Sequence, residues 1–136
     1  MSKFLIESSA DDDIDEIFGV DEDAAAMILA VLEAISDNEQ LQQRLFRHGH
    51  RNVANPTFDV SEVSSLFNHD YVVLRLKIWS EGGVLIPYRA LYAYDGRTET
   101  YHVLGVLHRS IAYDLDHPRV KRLLAEYESL GIFPFN

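Results

Sequence analysis

Between Tyr71 and Trp79 apolar and polar residues alternate cleanly. Leu74, Leu76 and Ile78 fall on one side of an extended chain, and Arg75, Lys77 and Trp79 fall on the other. A period of two over this length is the mark of a strand with one face in a core. Glu81-Gly-Gly83 supplies a turn after it, and the aromatic-rich stretch Leu85–Tyr94 makes a second strand. Asp95-Gly96 opens another turn, and Thr100–His108 makes a third strand. Connections this short force neighbours to run antiparallel, so the stretch predicts a three-strand antiparallel meander.

Upstream, the period lengthens to that of a helix. From Asp21 onward, Met27, Ile28, Val31, Leu32 and Ile35 form one stripe, helped by the propensity of Ala24–Ala26 and Leu29. Acids at its start suit the helix dipole. Ser36 to Glu39 has the spacing of a capping box, which predicts a second helix with Leu41 and Leu45 on its apolar edge and Gly49 at its end. Two helices joined so tightly form a helical hairpin. Phe4-Leu-Ile-Glu-Ser reads as a first strand, and the acidic run Asp11–Glu16 as a loop or weak helical turn. Arg51–Asp70, with Pro56 inside, reads as a connection with room for a short strand near Thr57–Val60. Asp116 is the expected cap of a last helix, with Pro118 in its first turn, Val120, Leu123, Leu124 and Tyr127 as its stripe and Gly131 as its stop. The expected fold is α+β: an N-terminal strand, a helical hairpin, the three-strand meander and a C-terminal helix. The helices cover one face of the sheet and leave the other partly open.

The 136 residues and 47% hydrophobic content fit one domain, residues 1–136, with a core of its own. With no cysteine, disulfides and thiolate metal sites are excluded, which fits the cytoplasm. The N-terminus meets Glu7 before any long apolar region, and the longest apolar run, Ala24–Leu32, falls short of the roughly 20 residues a bilayer needs. A soluble protein without a membrane partner is therefore expected. A net charge of -10 argues against general affinity for nucleic acid, but the charge is uneven. Acids crowd Asp11–Asp23, whereas Arg75, Lys77, Arg89, Arg97, Arg109, Arg119, Lys121 and Arg122 lie in the second half, so a locally basic face survives. His48, His50 and His69 lack a completing carboxylate–histidine pattern, and the acidic run lacks EF-hand spacing, so no metal site is expected. That run reads as solvated, or as a mask for a basic surface. Tyr88, Tyr92, Tyr94 and Tyr101 read as core before they read as a base-stacking platform.

Three stretches carry a family resemblance: Leu74-Arg-Leu-Lys-Ile-Trp79, Tyr88-Arg-Ala-Leu-Tyr-Ala-Tyr-Asp95, and Tyr101-His-Val-Leu-Gly-Val-Leu-His-Arg109 with Tyr113 after it. With the helical hairpin before them, they resemble the bacterial RelE/ParE toxin superfamily over roughly the whole chain. The resemblance implies a type II toxin neutralised by a cognate antitoxin. In the RelE branch such a toxin is an endoribonuclease that cuts mRNA on the ribosome, with no metal or other cofactor, through attack of the RNA 2′-hydroxyl on its neighbouring phosphate. Carried over to this chain, Lys77 faces the RNA backbone or helps activate the nucleophile, and Arg89 holds the scissile phosphate. Arg109 stabilises transition-state charge, and Tyr113 moves a proton or stacks on a base. His108 is a further acid–base candidate, and Arg75 and Trp79 join Lys77 as RNA-binding residues. Trp79 stands where some ribonuclease members carry a second basic residue. The alternatives implied are a ParE-like toxin that poisons DNA gyrase and a non-catalytic RelE-fold interaction protein. Regular alternation puts His108 and Arg109 on opposite faces, so both serve one site only if a bulge intervenes.

Overall fold

The computed structural model of the chain describes residues 2–45, 58–62, 72–80 and 82–132. The elements are β1 (Lys3–Ile6), α1 (Ser8–Val20), α2 (Glu22–Ser36), α3 (Glu39–Arg44), β2 (Phe58–Glu62), β3 (Leu74–Ile78), β4 (Tyr88–Asp95), β5 (Thr100–His108) and α4 (Pro118–Ser129). The class is α+β, as expected. The sheet has five strands in the order β1-β5-β4-β3-β2, where one strand and a three-strand meander were expected. The fifth is β2, at the place where the sequence left room for a short strand near Thr57–Val60, and it extends the meander to four antiparallel strands. β1 runs parallel to β5, so the sheet is mixed.

Three other expectations change. The acidic run Asp11–Glu16 is neither loop nor single turn, because it lies inside α1. Ser9, Ala10, Asp13, Ile14 and Ile17 recur at helical spacing and are buried, while Asp11, Asp12, Asp15 and Glu16 point outward. α1 and α2 thus form the main helical pair. The second predicted helix exists as the short α3, but its cap is Asn38, whose Oδ1 accepts from Gln40 and Leu41 main-chain N–H groups at 2.9 and 3.2 Å. Ser36 is instead the last residue of α2, and the predicted stop at Gly49 lies outside the described residues. α4 is capped by His117 Nδ1, which accepts from Arg119 N at 3.1 Å, so Asp116 is one residue too early.

The sheet carries a core on each face, where helices on one face alone were expected. Leu74, Leu76, Ile78, Ala90, Tyr92, Tyr101, Val103 and Val106 pack with the stripes of α1 and α2. On the other face, Val73, Leu91, Ala93, Leu104 and Leu107 pack with Val120, Leu123 and Tyr127 of α4 and with Ala112. α4 packs on β5, and its Tyr127 reaches across to accept from Val72 N at 3.4 Å just before β3, while Arg75 and Lys77 further along β3 are half-buried. The register of β4 on β5 slips between Leu91, opposite Gly105, and Tyr92, opposite Val103, so Leu104 is an extra residue in a β-bulge. The tight turn between β3 and β4 has Gly83 at φ +79°, a conformation glycine adopts without a Cβ penalty.

α1 is locked across the bulge by its one buried acid. Asp13 is 1% exposed. Its Oδ2 accepts from the Val106 main-chain N–H at 3.0 Å, and its Oδ1 accepts from Arg119 Nη1 at 3.0 Å and from Arg122 Nη2. Arg119 also bonds Glu16. A Cβ on Gly105 would stand 2.9 Å from Leu123 Cδ1 and 3.3 Å from Asp13 Oδ2, so glycine is what lets α1 and α4 close on β5 together.

Candidate functional site

The alternation of β3 turns Arg75 and Lys77 away from the α1–α2 core, and that of β4 turns Arg89 to the same face. The ladder pairs Arg75 with Leu91 and Leu76 with Ala90, so Arg75, Lys77 and Arg89 occupy neighbouring positions on adjacent strands. The segment after β5 adds Tyr113. Arg75 Nη1 donates to the Tyr113 hydroxyl oxygen at 2.6 Å, and the guanidinium carbon lies 5.3 Å from that ring's centroid. Tyr113 is 38% exposed, so its phenol is held by Arg75 while the ring stays open to solvent.

Arg89 is 5% exposed. Its Nη1 donates to the carbonyls of Ile86 at 2.9 Å and Tyr88 at 3.3 Å, and its buried Nε has no acceptor. Among the described residues no carboxylate forms an ion pair with Arg89 or Lys77. Burial of a guanidinium with only neutral acceptors costs desolvation that a counter-anion would offset. The group is a cation held in place by two main-chain carbonyls, with no carboxylate in an ion pair with it among the described residues.

The remaining candidates separate. Trp79 stands one residue past β3, bridged to Leu85. Arg109 is exposed beyond β5, where its backbone N–H donates to Pro87 O at 2.8 Å. His108 shares the face of Tyr88, with the two rings edge to face at 5.3 Å, and so is turned away from Arg89. The bulge causes this. Without the extra residue at Leu104, position 108 would fall on the face opposite Tyr101 and Val103, which is the face of Arg89. The His108 Nδ1 accepts from Ser110 N at 3.1 Å, and the ring borders a cleft with Ile17, Val20, Tyr88 and Ile111. Tyr92 and Tyr101 are each 2% exposed core residues, not stacking platforms.

Asp59, in the middle of β2, was not among the residues singled out from sequence. It faces Lys77 across the ladder. The readable signal was the period of two in Phe58-Asp-Val60, inside the short strand expected near Thr57–Val60. The His48, His50 and His69 candidates lie outside the described residues, and among the described residues no three metal-binding side chains converge. No helix among the described residues is long and apolar enough to cross a membrane. Comparison with protein-family models, curated proteins and solved structures finds no match to this chain.

Proposed function

We propose that this protein is a RelE/ParE-like toxin whose basic sheet face binds RNA and promotes its cleavage, and that a cognate antitoxin covers it. The observation that carries the reading is the buried Arg89, without a carboxylate, on the same face as Arg75, Lys77 and the Arg75-bound Tyr113. The order strand, helices, antiparallel meander and C-terminal helix supports it as well. In this reading Arg89, Arg75 and Lys77 hold the phosphate and spread its developing charge. The ribose 2′-hydroxyl gives its proton to solvent as its oxygen bonds to phosphorus, the 5′-oxygen leaves protonated, and the acid is reprotonated from solvent, so no co-reactant is consumed. Tyr113, its phenol aligned by Arg75, is the group that passes a proton to the leaving oxygen. Arg109, on the exposed end of β5, reaches the RNA from the rim.

A second reading, a non-catalytic RelE-fold interaction protein, is favoured by one observation. His108, the histidine singled out as an acid–base candidate, faces away from the cations. The experiment is inducible expression of wild type, Tyr113→Phe and Arg109→Ala, with growth and transcript integrity followed together. Both substituted residues are exposed, so the variants keep the fold. The expected outcome is growth arrest with cut mRNA in wild type and a loss of cleavage of about a hundredfold in Tyr113→Phe. Arrest with intact mRNA and DNA-damage signalling moves the reading to gyrase. Absence of arrest moves it to an interaction protein.

A further inference from the structure

One edge of the sheet is β1, which pairs with β5 on one side. Lys3 N donates to Glu99 O at 3.1 Å and Glu7 N donates to Val103 O at 3.0 Å, so the main-chain groups of Lys3, Leu5 and Glu7 turn toward β5. Those of Phe4 and Ile6 turn outward, and no hydrogen bond joins them to another described residue. An edge of this kind is a template for a further strand. Its side chains are not those of an edge blunted by charge alone. Leu5, at the middle of the segment Lys3–Glu7, is 45% exposed. Lys3 stands two residues before it and Glu7 two residues after it, on the same face by alternation. Among the described residues Lys3 forms no ion pair, and Glu7 meets only His102 Nδ1, at 2.7 Å.

These groups are self-complementary about Leu5. Let a second β1 lie antiparallel to the first with Leu5 opposite Leu5. Phe4 then falls opposite Ile6 at both ends, in pairs that exchange two main-chain bonds each, so every outward N–H and C=O finds a partner. Leu5 faces its equivalent in a non-hydrogen-bonded pair, where side chains stand closest. Lys3 falls opposite Glu7 twice, and opposite charges at such positions attract. Centring the pair on Phe4 instead would set Lys3 opposite Leu5 and lose both charge pairs. We infer that the protein self-associates through β1, as an antiparallel two-fold dimer centred on Leu5, in which one sheet runs on into the other. A two-fold contact requires one patch to complement itself, which this edge does. β3, with Arg75 and Lys77, lies three places from β1 in the sheet, so the pairing leaves the proposed phosphate-binding face open in both copies. A contact this small belongs at the low end of interface sizes, so a Kd of roughly 10 µM is expected.

The test is sedimentation equilibrium of the full chain from the low micromolar range to several hundred micromolar, with thermal melting of each protein. Wild type should pass from monomer to dimer. Lys3→Glu turns both charge pairs repulsive, and its affinity should fall by about tenfold to a hundredfold. Lys3→Glu combined with Glu7→Lys restores opposite charges and should regain most of that loss. If the double variant fails to fold without the Glu7–His102 contact, cross-linking takes its place. The chain has no cysteine, and Lys3 and Leu5 are both exposed, so a single thiol can be set at either position. Diamide oxidation should link Leu5→Cys into a covalent dimer across the axis. Lys3→Cys should stay unlinked, because its two copies lie roughly 14 Å apart in this register. A wild type that stays monomeric throughout the range overturns the inference. So does a dimer that Lys3→Glu leaves unchanged, because it uses another surface. A folded double variant as weak as Lys3→Glu, or a link that forms more readily at residue 3 than at residue 5, overturns the pairing centred on Leu5.

Discussion

At residue scale the least replaceable side chain outside the candidate site is Asp13. It is an acid in a run of acids, yet it alone is buried, because it answers three donors at once: the Val106 N–H freed near the bulge, and the guanidiniums of Arg119 and Arg122. Asp13→Ala leaves that N–H and Arg122 without their acceptor, while Arg119 keeps Glu16. The arginines are 35% and 40% exposed at their side chains and can rehydrate, so the cost should fall below that of a fully buried pair. About 2–4 kcal/mol is expected. Gly105→Ala should cost about 1–3 kcal/mol by a different route, since its methyl group must displace Leu123 Cδ1. Urea denaturation of each variant measures both, and a loss under 0.5 kcal/mol in either would mean that the α1–β5–α4 junction is looser than its contacts imply. Neither residue stood out in the sequence. Asp13 looks like its neighbours until its partners, more than a hundred positions away in the case of the arginines, are known.

At the scale of elements, α3 is tied to the sheet by two phenols. Tyr92 Oη donates to Leu45 O at 2.8 Å, and Tyr101 Oη donates to Gln42 O at 3.4 Å. Both receiving carbonyls lie at the C-terminal end of the helix, where main-chain donors run short, and Gln42 O also accepts from Leu45 N at 3.1 Å. Burial, reinforced by the neighbouring phenol of Tyr101, pushes the Tyr92 pKa well above its ordinary value. Burial, reinforced by Tyr94, pushes up that of Tyr101. A phenol whose pKa is higher folded than unfolded favours the folded state while it stays neutral. The stability is therefore complete below about pH 10 and is lost as pH climbs from there, by up to about 1.4 kcal/mol per pH unit for each phenol. Tyr92→Phe should cost about 1–3 kcal/mol at pH 7, because Leu45 O is stripped of its donor, and should flatten the alkaline fall by one phenol's share. Thermal melts of wild type and variant between pH 8 and pH 11 test this, and an unchanged slope would contradict it.

The elements differ in how far they could be read in advance. β5 matches its predicted bounds, and the predicted stretches for β3 and β4 contain nearly all of both strands, because alternation between water and a core is local information. α1 was missed because its buried stripe contains an aspartate whose satisfaction is tertiary. The same division runs through the candidate site. The shared face of Arg75 and Lys77 follows from the period of two alone, whereas that of Arg89 needs the register of β4 on β3. The departure of His108 does not follow from the period either, because it depends on the bulge at Leu104, which leaves no local mark in the sequence.

At the scale of the whole molecule, a net charge of -10 and the proposed phosphate-binding face are compatible because the sheet separates the acids of α1 and α2 from it. Asp11, Asp12, Asp15, Glu16, Asp21, Glu22 and Asp23 are exposed on or beside α1 and α2, which pack on one face, while Arg75, Lys77 and Arg89 occupy the other. The two features should act on RNA in distinguishable ways. Cations that touch phosphates release counterions, so they set the dependence of affinity on salt, with a slope of about -0.7 per contact for single strands. Three or four contacts on this face give a slope of roughly -2 to -3 in a plot of log affinity against log salt, and Lys77→Ala should shallow it by about 0.7. The distant acids touch no phosphate and act only through the long-range field, which falls off over about 10 Å at 0.1 M salt. Replacement of Asp11, Asp12 and Asp15 together by asparagine should therefore speed association and tighten binding at low salt, with little effect left at 0.3 M and no added phosphate contact. A salt titration of RNA binding for the three proteins decides the matter. If the triple variant shifts affinity equally at all salt concentrations, the acids lie within reach of the RNA and the assignment of the two faces is wrong.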